Sequence, residues 1–281
     1  MENCTIIIHQ GYGDLFNSIG IINYYSNIYN SVTVLLIDNT RCIILNEIFR
    51  NKNNIKCIIP IYLNDSFLSK ESSESSETCI TCVCEYNKLY CPRVGRLSKC
   101  KIIDYSKYTG DIIKIGGFNN YNKWSNGLSQ YYSFAHAFYG YQKLDQNIRF
   151  NFFKLYNNKD TENNTYETFI NKYGKDYILI HEDIDRNILI DRNKIDKNKI
   201  KKNIPIINLN NISIYFVDYT KIILNSSEIH LIDSSWSVFI YLLSHTMCKN
   251  IPIYINETDT KRRGRTTNIY KNPTFNNWIF Y

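Results

Sequence analysis

An apolar run, Cys4-Thr5-Ile6-Ile7-Ile8, passes straight into His9-Gln10-Gly11-Tyr12-Gly13-Asp14. A strand ending in a glycine elbow at a helix start gathers backbone N–H groups into a concavity suited to an anionic ligand. Gly11 and Gly13 permit positive φ and close approach of a ligand to the backbone. Asp14 can cap the following helix, and either His9 or Asp14 can bind or deprotonate a hydroxyl. The spacing is G-x-G-D rather than G-x-G-x-x-G, so the dinucleotide fingerprint is not met. The plainer alternative is a tight strand-to-helix turn with a capping aspartate.

Three further groups stand just beyond apolar runs. His181-Glu182-Asp183-Ile184-Asp185-Arg186 follows Tyr177-Ile178-Leu179-Ile180, and Asp233-Ser234-Ser235-Trp236 follows Glu228-Ile229-His230-Leu231-Ile232. Lys261-Arg262-Arg263-Gly264-Arg265 comes after Ile251-Pro252-Ile253-Tyr254-Ile255. Asp233, Ser234 and Ser235 bring carboxylate, hydroxyls and helix-start N–H groups to one place, a set that suits a phosphate or diphosphate. Arg186 can neutralise a diphosphate with its two-pronged guanidinium, and Arg263 can add to the same charge. His181 ends a buried run, and such a histidine by itself is more often a satisfied core residue than a ligand. Glu182, Asp183 and Asp185 read as a solvated acidic run, or as acceptors for sugar hydroxyls.

Cys79-x2-Cys82-x-Cys84-x6-Cys91-x8-Cys100 is a separate cluster. Cys79, Cys82, Cys91 and Cys100 can hold a tetrahedral structural zinc. The spacing differs from paired C-x2-C motifs, no histidine lies close by, and a partly buried cysteine-rich loop is the alternative. A catalytic thiol is disfavoured because no Cys/His pairing can be read. A P-loop and a G-x-S-x-G elbow are both absent.

The elements that must position these residues alternate. An apolar strand at 4–9, a helix at 14–29, a strand at 31–37, a short helix near 40–50 and a strand at 55–59 read βαβαβ, the rhythm of a parallel sheet. Residues 69–78 are polar and low in complexity, a flexible loop. The aromatic block from Trp124 to Gly140 reads as packed helix. Asn157–Asn164 reads as a linker. Beyond it strands at 177–181, 204–207, 228–232 and 251–255 alternate with helices at 216–225 and 235–246. The expectation is an α/β protein of two halves with parallel sheets facing a cleft: residues 1–155, with a cysteine-rich insertion near 65–100, and residues 165–281.

A net charge of +7, scattered along the chain, suits a solvated basic surface or an anionic small ligand better than nucleic acid. A hydrophobic content of 44% is enough for a packed core. No apolar run approaches the roughly 18 residues of a membrane span, and the N-terminus lacks the basic start of a signal peptide. The expected location is the cytoplasm, where the nine cysteines are thiols or metal ligands and the sequons at 163–165 and 225–227 go unused.

Taken in order, these pieces resemble a glycosyltransferase of the GT-B fold, of the small bacterial and viral type distantly related to the fucosyltransferase superfamily. The resemblance rests on Ile8 through Asp14 with the helix through Gly20–Tyr25, on Tyr177–Asp183 with Arg186, on Glu228–Trp236, and on the tail from Tyr270 to Trp278. It covers most of the chain apart from residues 65–100, and departs from the stricter family pattern where Asp183 stands two places after the histidine. The resemblance implies two Rossmann-like halves, an acceptor-side N-terminal half and a nucleotide-sugar-binding C-terminal half. It implies transfer without a required cofactor, with a nucleotide-sugar donor and a glycan or other sugar acceptor as partners. Asp14 and His9 become the catalytic candidates. Gly11, Gly13, His181, Asp183, Arg186, Asp233, Ser234, Ser235 and Arg263 become the donor-binding candidates. A non-catalytic nucleotide- or glycan-binding module, and a zinc-stapled nucleic-acid-binding protein, are the alternatives.

Overall fold

A computed structural model describes residues 2–8, 12–36, 38–61, 90–91, 95–96, 103–115, 143–145, 147–184, 187–195, 203–211, 216–247, 251–256 and 278–280. The chain forms two compact units, one of residues 1–46 and 52–154, the other of 47–51 and 155–281. Each is built on its own sheet, and every pairing within the two sheets is parallel. The protein is therefore an α/β protein with two Rossmann-like parallel sheets.

In the first unit, β1 (Asn3–Ile8), β2 (Ser31–Leu35), β3 (Ile55–Ile58) and β6 (Asp111–Ile115) lie in the order β3-β2-β1-β6. A separate antiparallel pair is formed by β4 (Tyr90–Cys91) and β5 (Gly95–Arg96). The central strand β1 is a continuous apolar and β-branched run because both of its faces are covered, and Cys4 through Ile8 are buried without a break. The chain winds outward from β1 to β3 and then returns to the far side of β1 with β6. The order therefore reverses between the C-terminal ends of β1 and β6, the place where open α/β sheets bind ligands.

Helix α1 (Tyr12–Ser26) fills the first crossover, with Leu15, Phe16, Ile19 and Ile22 buried against the sheet. It starts two residues earlier than the periodicity predicts, so Asp14 sits inside the first turn rather than at the cap. Its charge there still complements the positive end of the helix. α2 (Asn39–Ile48) fills the second crossover and is capped by Asp38, whose carboxylate accepts from Arg41 N (2.9 Å) and pairs with the Arg41 guanidinium. A short helix, α3 (Ile148–Asn151), crosses α1 at Gly20. A Cβ at that glycine would stand 2.8 Å from the carbonyl oxygens of Ile148 and Arg149, so only glycine allows this contact.

Burial in the first unit carries a pH signature. The Tyr29 hydroxyl donates to Asp111 at 2.5 Å, and that bond, with burial, pushes its pKa up from 10.0 to about 12. Burial pushes Tyr25 from 10.0 to about 12 and the Cys4 thiol from 9.0 to about 12. These folded-state values lie above the unfolded ones, so the native form keeps protons that the unfolded chain has lost. The resulting stabilisation is complete below about pH 9 and is lost as pH rises towards about 12. Urea unfolding should therefore show the unit steadily weaker between pH 8.5 and pH 11.5; a flat profile over that range would contradict the assignment.

The second unit holds β7 (Ile178–Ile180), β8 (Ile206–Asn208), β9 (Glu228–Ile232), β10 (Ile253–Asn256) and β11 (Trp278–Phe280) in the order β11-β10-β9-β7-β8. Counted within the unit this is 5-4-3-1-2, a doubly wound order whose reversal lies between its first and third strands, β7 and β9. Around it stand α4 (Lys159–Tyr173), α5 (Thr220–Asn225) and α6 (Ser235–Met247). Among the described residues no helix is long and apolar enough to cross a membrane.

Most of the stretch 157–164 is helical. Asn158 accepts from Asp160 N (2.9 Å) and Thr161 N (3.2 Å) through its side chain and caps α4, which runs through the polar residues to a glycine at 174 with φ of 87°. The helix holds because Phe169 packs edge-on against Tyr177, with ring centroids 4.8 Å apart, and Tyr177 is itself fully buried and donates to Ile222 O at 2.7 Å. β9 carries two polar residues into the interior: Glu228 and His230 are buried, their side chains pair, and the imidazole stacks on Tyr254 with centroids 4.5 Å apart. The aromatic block 124–140 and the polar loop 69–78 lie outside the described residues.

Candidate functional site

β7 and β9 run side by side with Ile180 opposite His230, so the residues that follow each strand emerge at the same edge of the sheet. His181 extends the ladder by one bond, its N–H donating to His230 O at 2.9 Å. This fixes the backbone from which the imidazole projects. One strand over, the chain leaves Ile232 through Asp233 and enters α6. Ser234 O accepts from Val238 N (3.3 Å), which makes Ser234 the N-cap residue. Ser237 closes the cap from inside: its hydroxyl accepts from Ser234 N (3.0 Å) and donates to Ser234 O (2.6 Å).

With Ser237 in that role, the Ser234 hydroxyl is directed elsewhere. Its Oγ lies 3.1 Å from His181 Nδ1. The imidazole is 8% exposed and lies obliquely against the Trp236 ring, with centroids 6.4 Å apart. Two groups that are 53 residues apart in the chain thus meet at the reversal point of the sheet, beside the positive end of a 13-residue helix. Asp233, Ser234 and Ser235 are half-buried around them. A hydroxyl, an imidazole and helix-start N–H groups in one place can hold a phosphate oxygen or move a proton.

Behind this pair a second layer holds the segment that follows β7. Glu182, the first residue of the acidic run, is not solvated: it is 6% exposed and fully engaged. Its carboxylate accepts from Ile190 N (2.9 Å), from Arg192 Nη2 (3.0 Å) and from Asn208 Nδ2 (3.5 Å). Its carbonyl accepts from Asn210 Nδ2 at 2.6 Å. Asp183 closes a miniature hairpin with Ile188 through two backbone bonds of 2.9 and 2.8 Å, and Asn187 supplies the left-handed residue that the turn needs, with φ of 54°. Asn256, at the end of β10, donates to Leu189 O at 2.9 Å. Glu182 is therefore a clamp on residues 188–192 and not a free acceptor. Arg192, Asn208, Asn210 and Asn256 were not legible as site residues. Their one signal is that Asn208 and Asn256 each end an apolar strand.

In the first unit Asp14 is 7% exposed in the first turn of α1, where Ser18 Oγ donates to its carbonyl (2.8 Å) and Asn17 Nδ2 to that of Gly13 (3.0 Å). Tyr12, at the start of the same helix, lies under the Arg41 guanidinium, 4.6 Å from its ring centre. His9, Gly11, Arg186, Arg263, Cys79, Cys82 and Cys100 lie outside the described residues, and Cys91 is described by its backbone alone. Among the described residues no group of three or more His, Cys, Asp or Glu side chains is arranged to hold a metal. The thiols described there, Cys4, Cys42 and Cys57, are buried and free. Burial raises the pKa of all three, which makes them poor nucleophiles.

No protein-family model matches the chain, and no curated protein matches it. The class that the geometry defines is an α/β protein with two Rossmann-like parallel sheets, the second carrying a histidine–serine pair at its reversal point.

Proposed function

We propose that the chain is a glycosyltransferase that takes a sugar from a nucleotide-sugar donor and passes it to a hydroxyl of a glycan or other acceptor. The observation that carries this reading is the contact of Ser234 with His181 across the β7/β9 reversal point, beside the start of α6. Open α/β sheets place nucleotides at such points, with phosphates against a helix N-terminus. In this reading Ser234, Ser235 and Asp233 surround the donor diphosphate, His181 contacts it, and Arg186 and Arg263 supply neutralising charge. Asp183, tied into the hairpin after β7, borders the sugar. Gly11 and Gly13 lend the donor backbone contacts, and Asp14 and His9 are the candidates for the acceptor hydroxyl. The electrostatic task is to stabilise charge on the departing diphosphate as the glycosidic bond breaks. A companion site for zinc at Cys79, Cys82, Cys91 and Cys100 would be structural.

The test begins with a thermal-shift screen of nucleotide-sugars and nucleoside diphosphates, since a ligand of the native state raises its apparent stability. Calorimetric titration with the strongest diphosphate then reads individual residues. Arg186→Ala should weaken binding by about 1.5–3 kcal/mol, the range of a charge-assisted bond, and Ser235→Ala by about 1 kcal/mol. Wild-type affinity in both variants would overturn the assignment.

A further inference from the structure

We propose that the His181–Ser234 couple grips phosphate in its protonated form, so that diphosphate binding draws a proton onto His181 and turns the Ser234 hydroxyl outward to donate to the ligand. This rests on the diphosphate reading of the site and adds to it a proton that binding must collect.

The 3.1 Å bond between Ser234 Oγ and His181 Nδ1 holds one hydrogen, and its owner decides what the serine can do. With a neutral ring whose Nδ1 is bare, the hydroxyl donates to the imidazole. Its only hydrogen is then spent, and the oxygen offers lone pairs that repel a phosphate oxygen. When Nδ1 carries a hydrogen, in the other neutral tautomer or in the imidazolium, Nδ1–H donates to Oγ and the hydroxyl hydrogen is released for the ligand. Of these two only the imidazolium also adds a positive charge where the anion binds, so the anion favours it. An anion that prefers the protonated couple must raise the ring's proton affinity by the same free energy. Imidazole titrates close to neutral pH, so this linkage falls in a measurable range.

The ionisable groups on the surrounding elements fit that role. Glu182, the next residue, is held by Ile190 N, Arg192 and Asn208, and Arg192 is in turn paired with it. Asp183 and Asp233, both half-buried, are the acidic residues that follow the two strand ends. From β9, the His230 carbonyl accepts from His181 N–H, while the His230 ring pairs with Glu228 and stacks on Tyr254. α6 contributes the Trp236 ring, which carries no charge.

The experiment is calorimetric titration of the full chain at pH 6 and pH 8 with whichever of UDP, GDP, CDP and ADP gives the largest thermal shift. A terminal phosphate itself ionises near pH 6, so His181→Gln is measured in parallel to remove the ligand's own contribution. The ratio of affinities between the two pH values should be about fivefold or more greater in the wild type than in the variant. The chain has five histidines, so the ring signals can be assigned, and a wild-type NMR titration gives a second reading should the variant fail to fold. The His181 imidazole should then titrate at higher pH with the diphosphate than without it. Equal pH ratios in both proteins, or a ring titration indifferent to ligand, would overturn the proton uptake and leave the diphosphate site standing. Absence of binding at both pH values would overturn the two together.

Discussion

Glu228→Leu is expected to destabilise the second unit by about 3 kcal/mol, the upper end of the cost of removing one partner from a buried hydrogen-bonded pair. Glu228 and His230 are at most 2% exposed, on the middle strand of a five-stranded sheet, and the substitution takes the carboxylate away from the imidazole where water does not reach. The expectation has a second half. Replacing both partners of a buried polar pair by apolar groups can be nearly neutral, so Glu228→Leu combined with His230→Phe should recover most of the loss, the phenyl ring keeping the stack on Tyr254. Urea unfolding of the two single variants and the double gives the coupling directly. Additive losses in the double variant would show that the pair is not what holds β9 in place.

Glu182→Ala is the second large effect, about 3 kcal/mol, and it bears on the site itself. Burial makes this carboxylate costly to remove, because the Ile190 N–H it accepts from is buried with it. The ion pair with Arg192 contributes little beside that, since the arginine side chain is 47% exposed and water screens it. Arg192→Ala should accordingly cost about 1 kcal/mol or less. The order of the two effects separates a backbone clamp from a surface ion pair. Equal losses in both variants would contradict the clamp. Because the clamped segment lies next to His181, Glu182→Ala should also weaken diphosphate binding in a protein that remains folded.

Much of this architecture is legible in the chain. The β-branched runs at 4–8, 31–35, 178–180 and 228–232 are the strands, and their alternation with helices predicts parallel sheets, as found. The failures have physical causes. The helix at 159–173 is hidden by its polar start, where the tertiary contact of Phe169 with Tyr177 outweighs the weak propensity of the first two turns. Asp14 looked like a cap because the helix pattern begins after it, while the backbone turns helical already at Tyr12. β6 and β11 are short edge strands whose side chains give little periodicity to read. At the site, Ser234 and His181 stand out by type and by position after strands. Asn208, Asn210 and Asn256 do not, because asparagine is so frequent in this chain that no single one carries a signal. Glu182 misleads for another reason: an acidic run looks solvated unless the arginine and amide groups that bury it are known, and these lie 8 to 28 residues further on.

Hydrogen–deuterium exchange of the full chain, with and without a saturating nucleoside diphosphate taken from the thermal-shift screen, shows whether the diphosphate binds at the reversal point of the second sheet. Bound ligand should slow exchange in the segments 181–192 and 233–240, which meet where Ser234 faces His181. Exchange unchanged in both segments, or protection confined to the first unit, would contradict the account.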